Sequence, residues 1–127
     1  MEWPDAKQMI SNKMLPGTDI NTKRSSLRKI ISSDVKCWNY DYAGEEGFLV
    51  RISNNEINNL EIPWNMLEKC FYAMRNSGYN GKVFREYYHI QAKDHPCHVH
   101  AVGMIFKKSG IAVSDADEKN YYLVSRS

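Results

Sequence analysis

The sequence is short of the signatures that announce a chemistry. Its 127 residues hold no GxxxxGK(S/T) phosphate loop, no GxGxxG turn, no HExxH helix and no GxSxG elbow. Without them no catalytic residue and no cofactor is expected, and an enzyme is the less favoured class. No apolar run approaches the ~20 residues of a membrane-spanning helix, so no membrane association is expected. The opening MEWPDAKQMISNKML carries acids early and lacks a signal-peptide apolar core. The three cysteines, Cys37, Cys70 and Cys97, are odd in number and widely spaced. They make neither a disulfide framework nor a metal knuckle, and reduced thiols in the cytoplasm are expected. No repeat, low-complexity segment or dividing linker appears, so one domain over residues 1–127 is expected.

What is present is an ordinary globular composition. Hydrophobic residues make up 43% and charged residues 25%, which excludes disorder, a collagen-like chain and a coiled-coil rod. A chain of 14.8 kDa should expose about 7,000 Å² when folded, against roughly 21,000 Å² unfolded. That is enough for one core without staples. The charge is nearly balanced, 17 basic against 15 acidic residues, net +2. Such a balance permits nucleic-acid binding without demanding it.

Apolar spacing predicts the elements. Residues 3–14 read as a helix, with Pro4 in its first turn and Trp3, Ala6, Met9, Ile10 and Met14 on one stripe. Residues 26–32 fit a strand or a helix equally. Residues 35–53 read as a hairpin, VKCWNYDY then FLVRIS, with Phe48, Val50 and Ile52 on one face. Trp38 and Tyr40 would then pack across strands or offer a stacking platform for bases. The Asn-rich 54–62 reads as a connection. Helices follow at 63–77, along Trp64, Leu67, Phe71 and Met74, at 80–88, capped by Asn80, and at 96–109 after Pro96. HIQAKD links the last two. Gly103 would let a ring or backbone approach the last helix. Ile111-Ala112-Val113, an acidic turn and KNYYLVS complete the pattern.

The fold class expected is α+β, a small antiparallel sheet with a cluster of three short helices. From Pro63 to Val124, PWNMLEKCFYAMRNSG, NGKVFREYY, PCHVHAVGMIFKKSG and a two-part wing resemble a winged helix-turn-helix. The chain is also similar in general character to small bacterial proteins carried on mobile elements such as integron gene cassettes. The winged-helix resemblance implies a recognition helix at 96–109. Its core stripe is Val99, Val102, Gly103 and Phe106. Its outer face carries Cys97, His100, Ala101, Met104, Lys107 and Lys108. That face lacks the Arg, Asn and Gln of bidentate base contacts, so its lysines would touch phosphates only.

Two clusters carry possible chemistry. Lys23, Arg24, Arg28 and Lys29 form the densest basic run, either a solvated face or a phosphate contact. With His100, Met104, Lys107 and Lys108 they are the expected nucleic-acid or partner-binding residues. The second cluster is Asp94-His95-Pro96-Cys97-His98-Val99-His100, with His89 upstream. It holds metal-ligand types, and Cys97 at a helix start has the thiolate stabilisation of a nucleophile. On a helix, however, the 100° step spreads these side chains around the axis, so only pairs converge, and no metal site is expected. The function expected is a non-enzymatic binding module for nucleic acid or a nucleoprotein. The alternatives are an oligomeric accessory protein that binds protein or a small ligand, and a small enzyme centred on Asp94–His100. The tyrosine-rich composition, with Ala101 and Met104 facing outward, suggests a homodimer.

Overall fold

The computed structural model describes residues 1–23, 28–38, 40–52 and 59–124. Helix α1, Trp3–Lys13, begins with proline in its first turn and buries Trp3, Ala6 and Ile10 at helical spacing. Trp3 meets Trp64 edge-on at 6.2 Å and Phe71 at 5.5 Å. That aromatic contact, with the Arg75–Glu2 ion pair at 3.0 Å, seats α1 on α2, Trp64–Ser77. Along α2, Leu67, Phe71 and Met74 are buried as the apolar spacing predicts, joined by Met66 and Cys70.

Between these helices lies an antiparallel meander of β1, Lys29–Lys36, β2, Glu46–Arg51, and β3, Asn59–Pro63. Ile30 pairs with Val50, Val50 with Leu60, and Phe48 with Ile62. All five side chains are buried on one face, the period-two pattern of a sheet covered on one side. Residues 29–32 are therefore strand. The first strand lies earlier in the chain than expected: Trp38 and Tyr40 fall beyond it, Tyr40 at φ 58° in a single 3-10 turn, Tyr40–Tyr42. The connection expected over 54–62 ends in β3, where Leu60 and Ile62 point into the core.

A second antiparallel sheet completes the fold, so the one small sheet expected is two. Strand β4, Tyr79–Asn80, leads into α3, Gly81–Asp94; α4, Cys97–Lys108, follows, then β5, Ala112–Ser114, and β6, Asn120–Leu123. The strand order is β4-β6-β5. Residues 89–94 are the second half of α3, not a link. Tyr88 breaks the helix with φ −137° and ψ 54°, and beyond the kink Gln91 and Ala92 start a new buried face.

Helix α4 runs through the centre. Ala101, Val102, Gly103, Met104, Ile105 and Phe106 are all buried, because the helix touches α1, α3, β3, β5 and β6. Ala101 and Met104 therefore do not face outward as expected: Met104 is 1% exposed. At Gly103 a β-carbon would collide with the ring of Tyr121, which is the close approach the glycine permits. Tyr121 also packs beside Tyr79, and the Tyr79 hydroxyl donates to the Val99 carbonyl at 2.7 Å. The exposed surface is 7047 Å², about the value the chain length predicts. Among the described residues, no helix is long and apolar enough to cross a membrane.

Candidate functional site

Of the basic run expected to bind phosphates, Arg28 is buried and Lys23 and Lys29 are exposed but engaged with neighbouring groups. Arg28 is 7% exposed, and its Nε and Nη1 have no hydrogen-bond partner among the described residues. Lys29 pairs with Asp19 at 3.8 Å. The Lys23 ammonium donates to the Ala116 carbonyl at 3.0 Å, and its backbone N–H to Glu118 at 2.6 Å. Lys107 donates to Ser114 at 2.9 Å and to Glu118 at 3.2 Å. Burial alone would raise the Glu118 pKa. The Lys23 and Lys107 contacts outweigh it and hold the carboxyl below its ordinary value. Lys108 stays exposed at the end of α4, and Arg24 lies outside the described residues. Met104 is buried.

A different set of cations converges elsewhere. A cleft of about 490 Å³ opens where the start of α3, the first turns of α4 and the β5–β6 turn meet. Lys82 and Arg85 enter it from α3, Lys119 from the turn and His100 from α4. Lys82, Arg85 and Lys119 are exposed, and none has an ion pair among the described residues. Arg85 folds back along its own helix: its Nη1 lies 2.9 Å from the place a β-carbon on residue 81 would take. Glycine there leaves room for the guanidinium against the first turn.

The cleft is held open by a chain of hydrogen bonds. Asp115 accepts from the backbone N–H groups of Lys119 at 2.8 Å and Asn120 at 3.2 Å, and from the Asn120 side chain at 2.7 Å. These bonds, led by the Asn120 side chain, lower the Asp115 pKa. Asn120 accepts in turn from Asn80 at 3.1 Å, and Asn80 caps α3 by accepting from the Val83 N–H at 3.0 Å. The turn that carries Lys119 is thereby tied to the helix that carries Lys82 and Arg85.

The Asp94–His100 segment is dispersed. Asp94 accepts from the Tyr40 hydroxyl at 2.8 Å. Burial first, and then Asp94, push the Tyr40 pKa up to about 12. His98 is 1% exposed, stacks on Phe84 at 5.8 Å and bonds through Nε2 to the Glu61 carbonyl at 3.0 Å. A carbonyl only accepts, so Nε2 carries the proton. Burial lowers the pKa of this ring to about 4. Cys97 is half-buried, and only His100 of the segment's titratable side chains lines the cleft. Among the described residues, no group of three His, Cys, Asp or Glu can hold a metal. Cys37 and Cys70 are buried, and burial raises both thiol pKa values, Cys37 to about 11.

Of the expected binding residues that are described, only His100 lies in the cleft. Lys82, Arg85 and Lys119 were not singled out in the sequence, where two sit a helical turn apart and the third lies 34 residues beyond Arg85. Besides His100, the Asn80 cap, which marks the start of α3, pointed to this place. A second groove, about 330 Å³, lies beside the kink in α3 between Tyr40, Tyr87 and Ile90. Comparisons with protein-family models, curated proteins and solved structures find no match to this chain.

Proposed function

We propose that this protein is a non-enzymatic, cytoplasmic binding module that grips nucleic-acid phosphates in the cleft between α3, α4 and the β5–β6 turn. The observation that carries this reading is the convergence of Lys82, Arg85 and Lys119, three exposed cations without ion pairs among the described residues, on one concavity. The connectivity adds support. Helix, strand, helix, helix, strand, strand, with the last strand central in its sheet, is a winged-helix-like order. The side chains redirect it, because α4 is buried through its middle and has no free face to lay in a major groove. Contact is then with the backbone and is sequence-independent. Three free cysteines fit a reducing compartment.

Fluorescence anisotropy with labelled DNA tests this. Affinity should fall with salt, with a slope of about −0.9 for each phosphate neutralised. Lys82→Glu and Arg85→Glu should each weaken binding to all sequences alike and flatten that slope by about 1. No binding at about 10 µM protein in low salt, where the electrostatic contribution is largest, would sink the reading.

Homodimerisation is a second reading. Its support is the exposure of large apolar side chains: Trp38 is 85% accessible, and Tyr87 and Ile90, which line the second groove, are each 51% accessible. Light scattering should then report twice 14.8 kDa, and Trp38→Ser should return a monomer. A monomeric parent chain at micromolar concentration removes this reading.

A further inference from the structure

The cleft changes character along α3. Its cations gather at the helix start, where Lys82 and Arg85 meet Lys119 from the turn. Toward the other end of α3 the wall becomes carbon, with Ala92 near the close of α3 and Pro96 just before α4, while Val99 lies against the first turn of α3, its Cγ1 3.6 Å from the place a β-carbon on residue 81 would take. Ala92 is 8% exposed, so this wall is backed by the core and presents a firm apolar surface.

Size and charge narrow the ligand. A concavity near 490 Å³ has the dimensions of a small-molecule site, roughly 300–1,000 Å³. A duplex backbone is a long convex rod that can rest phosphates at the mouth of this hollow but does not fill it. Three cations at one end exceed what one internal phosphodiester neutralises, since it carries a single charge. A phosphomonoester carries about −1.5 to −2 at pH 7 and offers three acceptor oxygens. Arg85, held against the first turn of α3 by the space Gly81 leaves, presents a fork that suits such a group.

Resting on the nucleic-acid reading, we propose that the cleft binds a nucleotide by its terminal phosphomonoester. The phosphate lies among Lys82, Arg85 and Lys119, and the sugar and base lie along Ala92 and Pro96. Two sources share this chemistry: the phosphorylated end of a strand and a free nucleoside monophosphate.

The test compares one single-stranded oligonucleotide in three forms, 5′-phosphorylated, 3′-phosphorylated and hydroxyl at both ends, with a nucleoside monophosphate as competitor. A phosphorylated form should bind at least about tenfold more tightly than the hydroxyl-ended one, the equivalent of one charge-assisted hydrogen bond. Lys119→Glu should abolish that preference, and Lys108→Glu, at the far end of α4, should leave it intact. Gly81→Ala keeps every charge and only displaces the Arg85 guanidinium. It should reduce the preference while the salt slope stays unchanged. Direct binding of a fluorescently labelled nucleoside monophosphate, with no oligonucleotide bound, identifies the free nucleotide as the ligand and ends the nucleic-acid reading alone. Strand preference without displacement identifies the strand end. Equal binding of all three oligonucleotides, with a normal salt slope, overturns the phosphomonoester proposal and leaves the nucleic-acid reading standing. No binding of any probe overturns both.

Discussion

His98 joins α4 to the first sheet through one hydrogen bond, and its protonation state decides whether that joint is stable. The folded ring titrates near pH 4, and an unfolded histidine near 6.5. The folded value is the lower one, so the neutral ring's contribution is fully present above 6.5 and is lost as pH falls toward 4. Between pH 7 and pH 5 the loss should be about 2 kcal/mol, before the carboxylates begin to titrate. Urea unfolding at the two pH values measures it. His98→Gln keeps a donor for the Glu61 carbonyl and cannot ionise, so its stability should change far less over the same interval. An equally steep fall in that variant would place the titrating group elsewhere. Gly103 is the opposite case, a position fixed by shape alone. Gly103→Ala drives a methyl group into the Tyr121 ring and should destabilise the protein by about 1–3 kcal/mol in the same measurement.

At the scale of elements, what was legible in the sequence follows from length and periodicity. Helices α1 and α2 and strand β2 each carry several apolar residues at one repeat, so their buried faces could be read directly. Strand β4 has two residues and offers no period at all. Helix α3 was cut short because the Tyr88 kink rotates its second half and breaks the stripe. Helix α4 was placed correctly, but its outer face was not. A stripe identifies the side that must be buried, and nothing local shows that α1 and two sheets cover the other sides as well. The cleft was hidden for a related reason. Contiguous charge drew attention to Lys23, Arg24, Arg28 and Lys29, of which Lys29 pairs with Asp19, Lys23 donates to the Ala116 carbonyl and Arg28 is buried. The cations of the cleft come from α3 and from the β5–β6 turn, 34 residues beyond Arg85, and meet only in the fold. The β5–β6 turn can be tested as a unit. Asp115→Asn removes the charge that receives three N–H bonds. It should lower phosphate affinity through Lys119 while far-ultraviolet circular dichroism stays unchanged. Unchanged affinity would show that the turn does not position Lys119.

For the molecule as a whole, a net charge of +2 gives little long-range attraction for a polyanion, so binding must come from the local arrangement of cations. Arg28 separates the two possibilities. Arg28→Met removes a buried guanidinium that has unpartnered nitrogens. It should leave phosphate binding untouched and keep or raise stability. A loss of binding equal to that of Arg85→Glu would return the interface to the 23–29 segment.

The all-round burial of α4 also bears on how the protein opens. Amide hydrogens in a peripheral helix exchange with solvent through local opening, whereas those of a helix clasped on every side exchange only when the whole domain comes apart. The N–H groups from Ala101 to Phe106 should therefore be the slowest to take up deuterium, with one shared exchange free energy equal to that of global unfolding. Because α4 depends on β3 and α1 as well as on its sequence neighbours, a chain cut to residues 63–124 loses part of that clasp. It should behave as an expanded, rapidly exchanging polypeptide, not as a smaller folded unit.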